Sequence, residues 1–380
     1  MKRHGDLIEK EAVARHIDAA QLSIFETRAS LKNLESSAAK QLEEMEKAEK
    51  ETSARQFVAL VPVLQLNETD QVTIFDAHLL EDRYDGTCSW ALQQKQVKAW
   101  LGPSDRPRSL WLHGKPGSGK SVLAAHLINF QSNRGLTVIY HFCADDYPAS
   151  KAYDQILRSF IRQLIQKSDE ATAHAYKIMV LDRKPAKIAD LERLVQDLVI
   201  IASDGSSDKG SVWIVVDGIE ASQPNKLSKL SAFMRGLASK TTVQGRPVCK
   251  VLLLGRHSQS VSKDLGKIPE VSLEREKNSI DNAIRAYVSQ RLHDKHSAAR
   301  LRALEVGDTD VDTIISQVTS KSDGIVSPYM TLVVFIGADS EFPGMFLYAK
   351  FILDFLMKQW YVSKEELLVS VKKMPPTLEE

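Results

Sequence analysis

The sequence has few cysteines and no excess of charge of either sign. Its three cysteines, Cys88, Cys143 and Cys249, lie far apart and form no C-x-x-C pair, which argues against a disulfide framework and against a zinc site and suits a reducing, cytoplasmic compartment. Fifty Lys and Arg against forty-nine Asp and Glu leave a formal charge of +1. Nothing in that balance points to a nucleic acid or an anionic membrane as partner. The N-terminal "MKRHGDLIEKEAVARH" contains no apolar signal core, and the longest uninterrupted apolar run, near "MTLVVFIGA", is about half a membrane span. A soluble chain with no membrane span is expected. What is present is an apolar fraction of 43% over 380 residues, enough for one large domain and a smaller one.

Residues 1–56 read as an N-terminal helical segment. Ile17, Ile24, Leu31, Ala38 and Met45 recur every seven residues, with Val13, Ala20, Leu34 and Ala48 at the partner position. Thr27 and Gln41 interrupt the seam. The pattern suits a coiled coil that pairs with another chain, by self-association or with a partner, or a helix folded back on its own protein. Residues 57–89, with Pro62 and scattered polar residues, read as a linker.

From Trp90 the pattern alternates between short apolar runs and helix-compatible segments. "RSLWLHG", "LTVIYHFCA", "SVWIVVDG" and "CKVLLLGR" lack the polar alternation of a half-exposed strand, so each suits a strand buried on both faces. "IPEVSLE" is a candidate fifth strand. Strands alternating with helices predict an α/β, three-layer core with a mainly parallel sheet over 90–275. After it, "SIDNAIRAYVSQRL" places Ile280, Ile284, Tyr287, Val288 and Leu292 on one helical face, and 276–380 reads as a mainly helical region.

The chemistry concentrates in "HGKPGSGKSVLAAHLINF". Gly114, Gly119, Lys120 and Ser121 satisfy G-x-x-x-x-G-K-[ST], directly after a strand-like run and directly before the helix that starts at Val122. Glycines let the loop turn its N–H groups inward, and the helix N-terminus adds roughly half a positive charge toward a phosphate. Gly114, Lys115, Pro116, Gly117, Ser118, Gly119, Lys120, Ser121 and Val122 are therefore the candidate nucleotide cradle, Lys120 reaching the phosphates and the Ser121 hydroxyl holding Mg²⁺. Asp217, which closes the apolar run "VWIVVD", is the candidate second ligand of the metal. These residues make an α/β P-loop NTPase core the expected fold.

Catalysis is less well provided for. After Asp217 the chain reads Gly218, Ile219, Glu220 and Ala221, so Glu220 is the one candidate to polarise a water, or else a solvated loop acid. Arg256, at the end of "VLLLGR", would sense the γ-phosphate if its strand lies between those of the cradle and of Asp217. His113 is expected to be a packed residue, Asp145 and Asp146 to cap the following helix, and His141 with Cys143 to lack metal-binding partners. ATP or ADP is favoured over GTP, because no N/T-K-x-D signature follows the fourth strand.

The stretches "GTCSWAL", "VKAWL", "LWLHGKPGSGKS", "VIYHFCADD", "ILRSFIRQLI", "VWIVVDGIE", "KVLLLGRH", "DNAIRAYVSQRL" and "GMFLYAKFIL", in this order between Asp76 and Leu356, resemble the NACHT-type STAND NTPases of fungi, relatives of the NLR immune receptors. The resemblance implies a nucleotide-controlled switch for signalling in self/non-self recognition or cell death: ADP at rest, a C-terminal repeat domain as sensor, exchange for ATP, then assembly and release of an N-terminal effector. It implies Lys120 and Ser121 as phosphate and magnesium ligands, Asp217 as the Walker B acid, Arg256 as the sensor arginine, and adenine contacts at Thr87 and Trp90. Three departures matter. The family carries a further acid where this chain has Ala221, which bears on hydrolysis and leaves binding intact. "IVSPYMTLVVFIGADSEFP", 325–343, separates Asp323 and Gly324 from "GMFLYAK" and reads as an insertion. The chain stops at "KKMPPTLEE" with no repeat of twenty to fifty residues, so the sensor is expected to be absent. Alternatives of other classes are a degenerate scaffold that keeps the cradle for folding, and a working ATPase or kinase, which should show an arginine-rich lid or a basic track; neither is present.

Overall fold

The computed structural model describes residues 31–32, 36–66, 70–81, 84, 86–102, 107–203, 210–221, 224–322 and 345–374. It divides into two units, Met1–Ala59 and Leu60–Glu380. In the first, residues 36–59 are helical, as their content of Ala, Leu, Glu, Lys and Gln favours. Leu42 and Met45 are exposed on this helix. The heptad positions Val13, Ile17, Ala20, Ile24 and Leu34 lie outside the described residues, as does the whole 325–343 segment.

The second unit is built on a five-stranded sheet of β1 (Ser109–His113), β2 (Val138–Phe142), β3 (Val212–Asp217), β6 (Cys249–Gly255) and β7 (Glu270–Ser272). The strand order is β2-β3-β6-β1-β7, and every pairing is parallel. The fifth strand expected within "IPEVSLE" is β7. A separate two-stranded hairpin, β4 (Thr242–Val243) with β5 (Arg246–Pro247), turns on Gln244 and Gly245 at φ 50° and 77°, the left-handed pair that a tight two-residue turn needs.

The apolar runs are explained by burial on both faces: every residue of β3 and of β6 is buried. Leu110, Leu112, Val138, Phe142, Trp213, Val215, Leu252, Leu254 and Val271 share one core with residues of the helices Lys120–Ser132, Lys277–His293, Asp308–Ser322, Met345–Lys358 and Lys364–Lys373. The alternate positions point to the opposite face. There, helix Tyr153–Lys167 packs on β2 and helix Pro224–Lys240 on β6, so the core is an α/β three-layer arrangement.

Lys250 is a polar residue inside one of these buried runs. Its Nζ donates to the carbonyls of Trp100 (2.8 Å) and Gly102 (2.5 Å) and lies 4.8 Å from the centre of the Trp213 ring. Helix Lys95–Leu101 ends there, and its last carbonyls have no acceptor role left inside the helix. The lysine thus fixes that helix end to the middle of the sheet.

The segment read as a linker is packed structure where it is described. Leu60, Leu64, Leu66, Ile74 and Tyr84 are buried, and Arg158 donates to the carbonyl of Leu64. Helix Asp70–Glu81 covers the open edge of β2, where Gln71 gives Nε2 to the Phe142 carbonyl (3.0 Å) and takes the Phe142 N–H on Oε1 (2.6 Å). Gln163, from helix Tyr153–Lys167, does the same for Tyr140, at 2.7 and 3.0 Å. Two side-chain amides stand in for a missing neighbour strand and satisfy an edge that would otherwise invite pairing with another chain. Polar side chains that serve the backbone look like loop composition in a sequence, which is why this stretch read as a connector. Replacing Gln163 by Leu should leave the Tyr140 N–H and C=O without partners and cost about 1–3 kcal/mol, measured by urea unfolding; an unchanged midpoint would show that the amide does not hold the edge.

Candidate nucleotide site

The parallel register brings the carboxyl ends of β1, β6 and β3 to one edge. His113 is level with Gly255, and Val216 with Leu253. The loop leaving β1 crosses over the end of β6, where the Gly114 N–H reaches the Gly255 carbonyl at 3.3 Å. It ends at Gly119, with φ 86° and no capping side chain, and helix Lys120–Ser132 begins there. A left-handed residue at that point suits glycine and few others.

Lys120 is buried and folded over the loop, its Nζ donating to the carbonyls of Gly114 (2.9 Å) and Lys115 (2.8 Å). Ser121 Oγ donates to Asp217 Oδ2 at 2.5 Å, so hydroxyl and carboxylate meet although β1, which leads into the loop, and β3, which ends at Asp217, are separated by β6. Burial raises the pKa of Asp217 above the usual carboxylate range, opposed by the Ser121 hydrogen bond, the Lys120 charge and the Gly218 N–H. Glu220 is raised too, by burial first and by the neighbouring Asp217 charge, against hydrogen bonds from its own N–H and that of Arg256 and the charge of Lys120. Arg256 Nε stands 3.4 Å from Glu220 Oε1.

Gly117, Ser118, Gly119, Lys120, Ser121 and Val122 line a cavity of about 430 Å³, within the range of small-molecule sites. Thr87 and Trp90 form part of its far wall with Ala77, His78 and Cys88. Gly114, Lys115 and Pro116 are the incoming limb of the loop. Asp217, at the end of β3, is connected to the cavity through Ser121, whereas Glu220 and Arg256, which follow β3 and β6, are not among its lining residues.

Four further wall residues escaped the sequence reading: Tyr287, Phe346, Leu347 and Lys350. They come from helices Lys277–His293 and Met345–Lys358. The Leu347 N–H donates to the Gly117 carbonyl at 3.2 Å, and a Cβ on Gly119 would stand 3.2 Å from the Phe346 ring. The signal was available, since Phe346 and Lys350 lie in "GMFLYAK". His78, from helix Asp70–Glu81, carried no such signal.

The remaining candidates are structural. His113 packs between Trp111 (4.4 Å) and His257 (5.1 Å), 3.5 Å from Glu270, and burial holds its pKa below the usual histidine value. Asp145 does not cap a helix. It pairs with Lys151, and the turn that follows starts at Tyr147 with no side-chain cap, because the chain bends before a full helix begins. His141 hydrogen-bonds the Ser150 carbonyl at 2.8 Å, with a pKa lowered by burial to about 4, and burial pushes the Cys143 thiol up to about 12. Among the described residues no cluster of three His, Cys, Asp or Glu is placed to hold a metal by itself, and no helix is long and apolar enough to cross a membrane.

Residues 86–256 match the model of the family described as Nephrocystin 3, N-terminal. No curated protein matches the chain. Among solved structures, a chain of the E. coli MS115-1 HORMA:CdnC:Trip13 complex is 15% identical, with 80% of this chain and 86% of that one covered at a TM-score of 0.38. C. elegans PCH-2 is 11% identical over 77% of this chain and 68% of that one, at 0.31. Strand order, loop and helix together define a P-loop NTPase-like α/β fold.

Asp217 supplies a test of this geometry. A carboxylate whose pKa is raised on folding binds protons more readily in the native state, so its ionisation destabilises the fold as pH rises from the ordinary value of 3.8 through the higher folded one. Asp217→Asn removes that cost. The ligand-free variant should melt above the native protein at pH 7, with the difference shrinking toward pH 4. A variant that melts lower at pH 7 would mean the carboxylate stabilises the empty site.

Proposed function

We propose that this chain binds ATP or ADP with Mg²⁺ and acts as a nucleotide-controlled switch of the NACHT/STAND type, with slow or no hydrolysis. The observation that carries the reading is the meeting of Ser121 and Asp217 at the N-terminus of the helix that Lys120 opens. A hydroxyl and a carboxylate side by side are the hard oxygen donors that magnesium takes, and this ion usually keeps waters and phosphate oxygens for its other positions. The two residues therefore fit Mg²⁺, which when bound supplies charge neutralisation to a phosphate chain.

The chain's own groups do the rest. The N–H groups from Gly117 to Val122, at the positive end of a thirteen-residue helix, bind phosphate oxygens. Lys120 exchanges its two carbonyl acceptors for phosphate oxygens, a stronger charge-assisted pairing. Thr87, Trp90 and His78 offer a partly apolar wall for a base. Glu220 is the one acid in the turn after Asp217, and Ala221 supplies none; loss of a positioned base typically lowers a rate by about 10² to 10⁴. That is the basis for slow turnover. The match to a Nephrocystin 3, N-terminal, model and the resemblance to NACHT proteins support control rather than metabolism, and the exposed Leu42 and Met45 of the N-terminal helix support contact with other protein chains.

A second reading, the degenerate scaffold, is favoured by one observation: Lys120 already has two acceptors within its own loop. The two readings part on thermal stability. At a hundred-fold excess over Kd, Mg-ATP or Mg-ADP should add about 2.7 kcal/mol to the native state, and Lys120→Ala should abolish the gain. No shift with either nucleotide would decide for the scaffold.

A further inference from the structure

The stretch "ILRSFIRQLI" contributes nothing to the nucleotide cavity. It lies in helix Tyr153–Lys167, where Ile156, Leu157, Phe160, Ile161, Leu164 and Ile165 are buried. Gln155, Arg158, Ser159, Arg162, Gln163 and Gln166 recur at spacings of three and four, so they share another face of the helix. A polar stripe of this kind ordinarily faces water. Here the start of helix Asp70–Glu81 and the turn Pro148–Lys151 stand across from it, and with β2 they bound a cavity of about 60 Å³. One water takes roughly 10–15 Å³ of such space. The cavity therefore has the size of one tetrahedral oxyanion.

Among the described residues that line it are two cations, Arg158 and Arg162, and no carboxylate. Arg158 has a side chain only 9% exposed; it donates to the Leu64 carbonyl, but its Nε, 3.5 Å from Asp154, makes no hydrogen bond. A buried donor left unsatisfied is costly, and an anion beside it relieves that cost. His141 has the opposite need. Its Nε2 donates to the Ser150 carbonyl at 2.8 Å, so Nδ1 is an acceptor, and Nδ1 is buried without a partner. Burial keeps the ring neutral, with its pKa lowered to about 4. We propose that this cavity binds inorganic phosphate, its oxygens accepting from Arg158 and Arg162 and its remaining hydroxyl donating to His141 Nδ1. Pairing of guanidinium with phosphate is the strong, charge-assisted kind. At neutral pH the free ion keeps at least one hydroxyl, whereas sulfate has none and a phosphate monoester, with a second pKa of about 6, has lost most of its proton. The cavity shares no lining residue with the one at Lys120 and Ser121, and the proposal does not rest on the nucleotide reading.

The experiment titrates the full chain with sodium phosphate at pH 7.5 by calorimetry. Because the loop at Lys120 could itself take a phosphate, each measurement is made in the native and in the Lys120→Ala background, with a native melting curve required of every protein. Binding should persist in Lys120→Ala. Arg162→Gln, which removes one cation, and Gln166→Glu, which sets a carboxylate at the exposed end of the stripe without touching the buried packing, should each weaken it by about tenfold or more, the loss expected for a hydrogen bond to a charged group. Sulfate and glycerol phosphate, which lack the hydroxyl proton, should bind about threefold or more weakly than phosphate. Phosphate binding that vanishes in Lys120→Ala, or that is unchanged by both Arg162→Gln and Gln166→Glu, overturns the proposal. Sulfate or the ester binding as tightly as phosphate overturns the role of His141 and with it the choice of inorganic phosphate. None of these failures touches the nucleotide reading, whose test is the Mg-ATP and Mg-ADP stabilisation.

Discussion

The site depends on a single constraint, the parallel register that holds β6 between β1 and β3. Neighbouring strands lie about 4.8 Å apart, so the residues that end β1 and β3 are separated by about twice that distance. Only a loop that crosses the intervening strand can join them. At the crossing the Gly255 carbonyl takes the Gly114 N–H, and the missing side chain of Gly255 leaves space for Glu220 and Ile219. Once the loop has crossed, Ser121 is delivered to Asp217 at the start of its helix. A larger residue at 255 would push on the acid turn, against Glu220 and Ile219.

The far side of the cavity is assembled from sequence-distant pieces. Tyr84 stacks edge-on against Tyr287 at 5.0 Å, and Tyr287 against Phe346 at 6.3 Å. Phe346 in turn lies on Gly119. Arg291 pairs with Asp354, and Arg300 donates to the Met357 carbonyl, so helices Lys277–His293 and Lys295–Ala303 are both tied to helix Met345–Lys358. An occupant of the cavity would touch the loop, the segment around Thr87 and the N-terminal turn of that last helix at once. Its binding free energy would be divided among these parts, which is the physical requirement for occupancy to be felt in the C-terminal helices.

How much of this was legible in the sequence follows from which forces leave a local mark. Strands buried on both faces show as unbroken apolar runs, and four of the five were readable so, while β7, Glu270–Ser272, was no more than a candidate. The cradle was readable because its chemistry demands glycines and a Lys-Ser pair at fixed spacing, and Asp217 because it closes a buried run. Residues whose role is set by distant partners left no such mark. Lys250 reads as a stray charge in "CKVLLLGR" until Trp100 and Gly102 are placed beside it. Gln71 and Gln163 look like surface polar residues, yet they complete a sheet edge. Phe346 and Lys350 sit in a recognisable stretch, but only the fold shows that its helix starts against the loop. Asp145 misled because an acid after a strand is more often a cap than half of an exposed ion pair.

The balance of charge at the site explains why two acids tolerate burial there. Lys120 and Arg256 stand against Asp217 and Glu220 at the strand ends, although burial raises both carboxyl groups. A phosphate chain adds several negative charges, and helix and amide dipoles offset only part of them. On the proposed reading, a divalent cation held by Asp217 and Ser121 would restore the balance. Glu220 is offset instead by the Arg256 guanidinium and by the charge of Lys120. The two acids thus differ in their surroundings, one beside a hydroxyl and one beside an arginine.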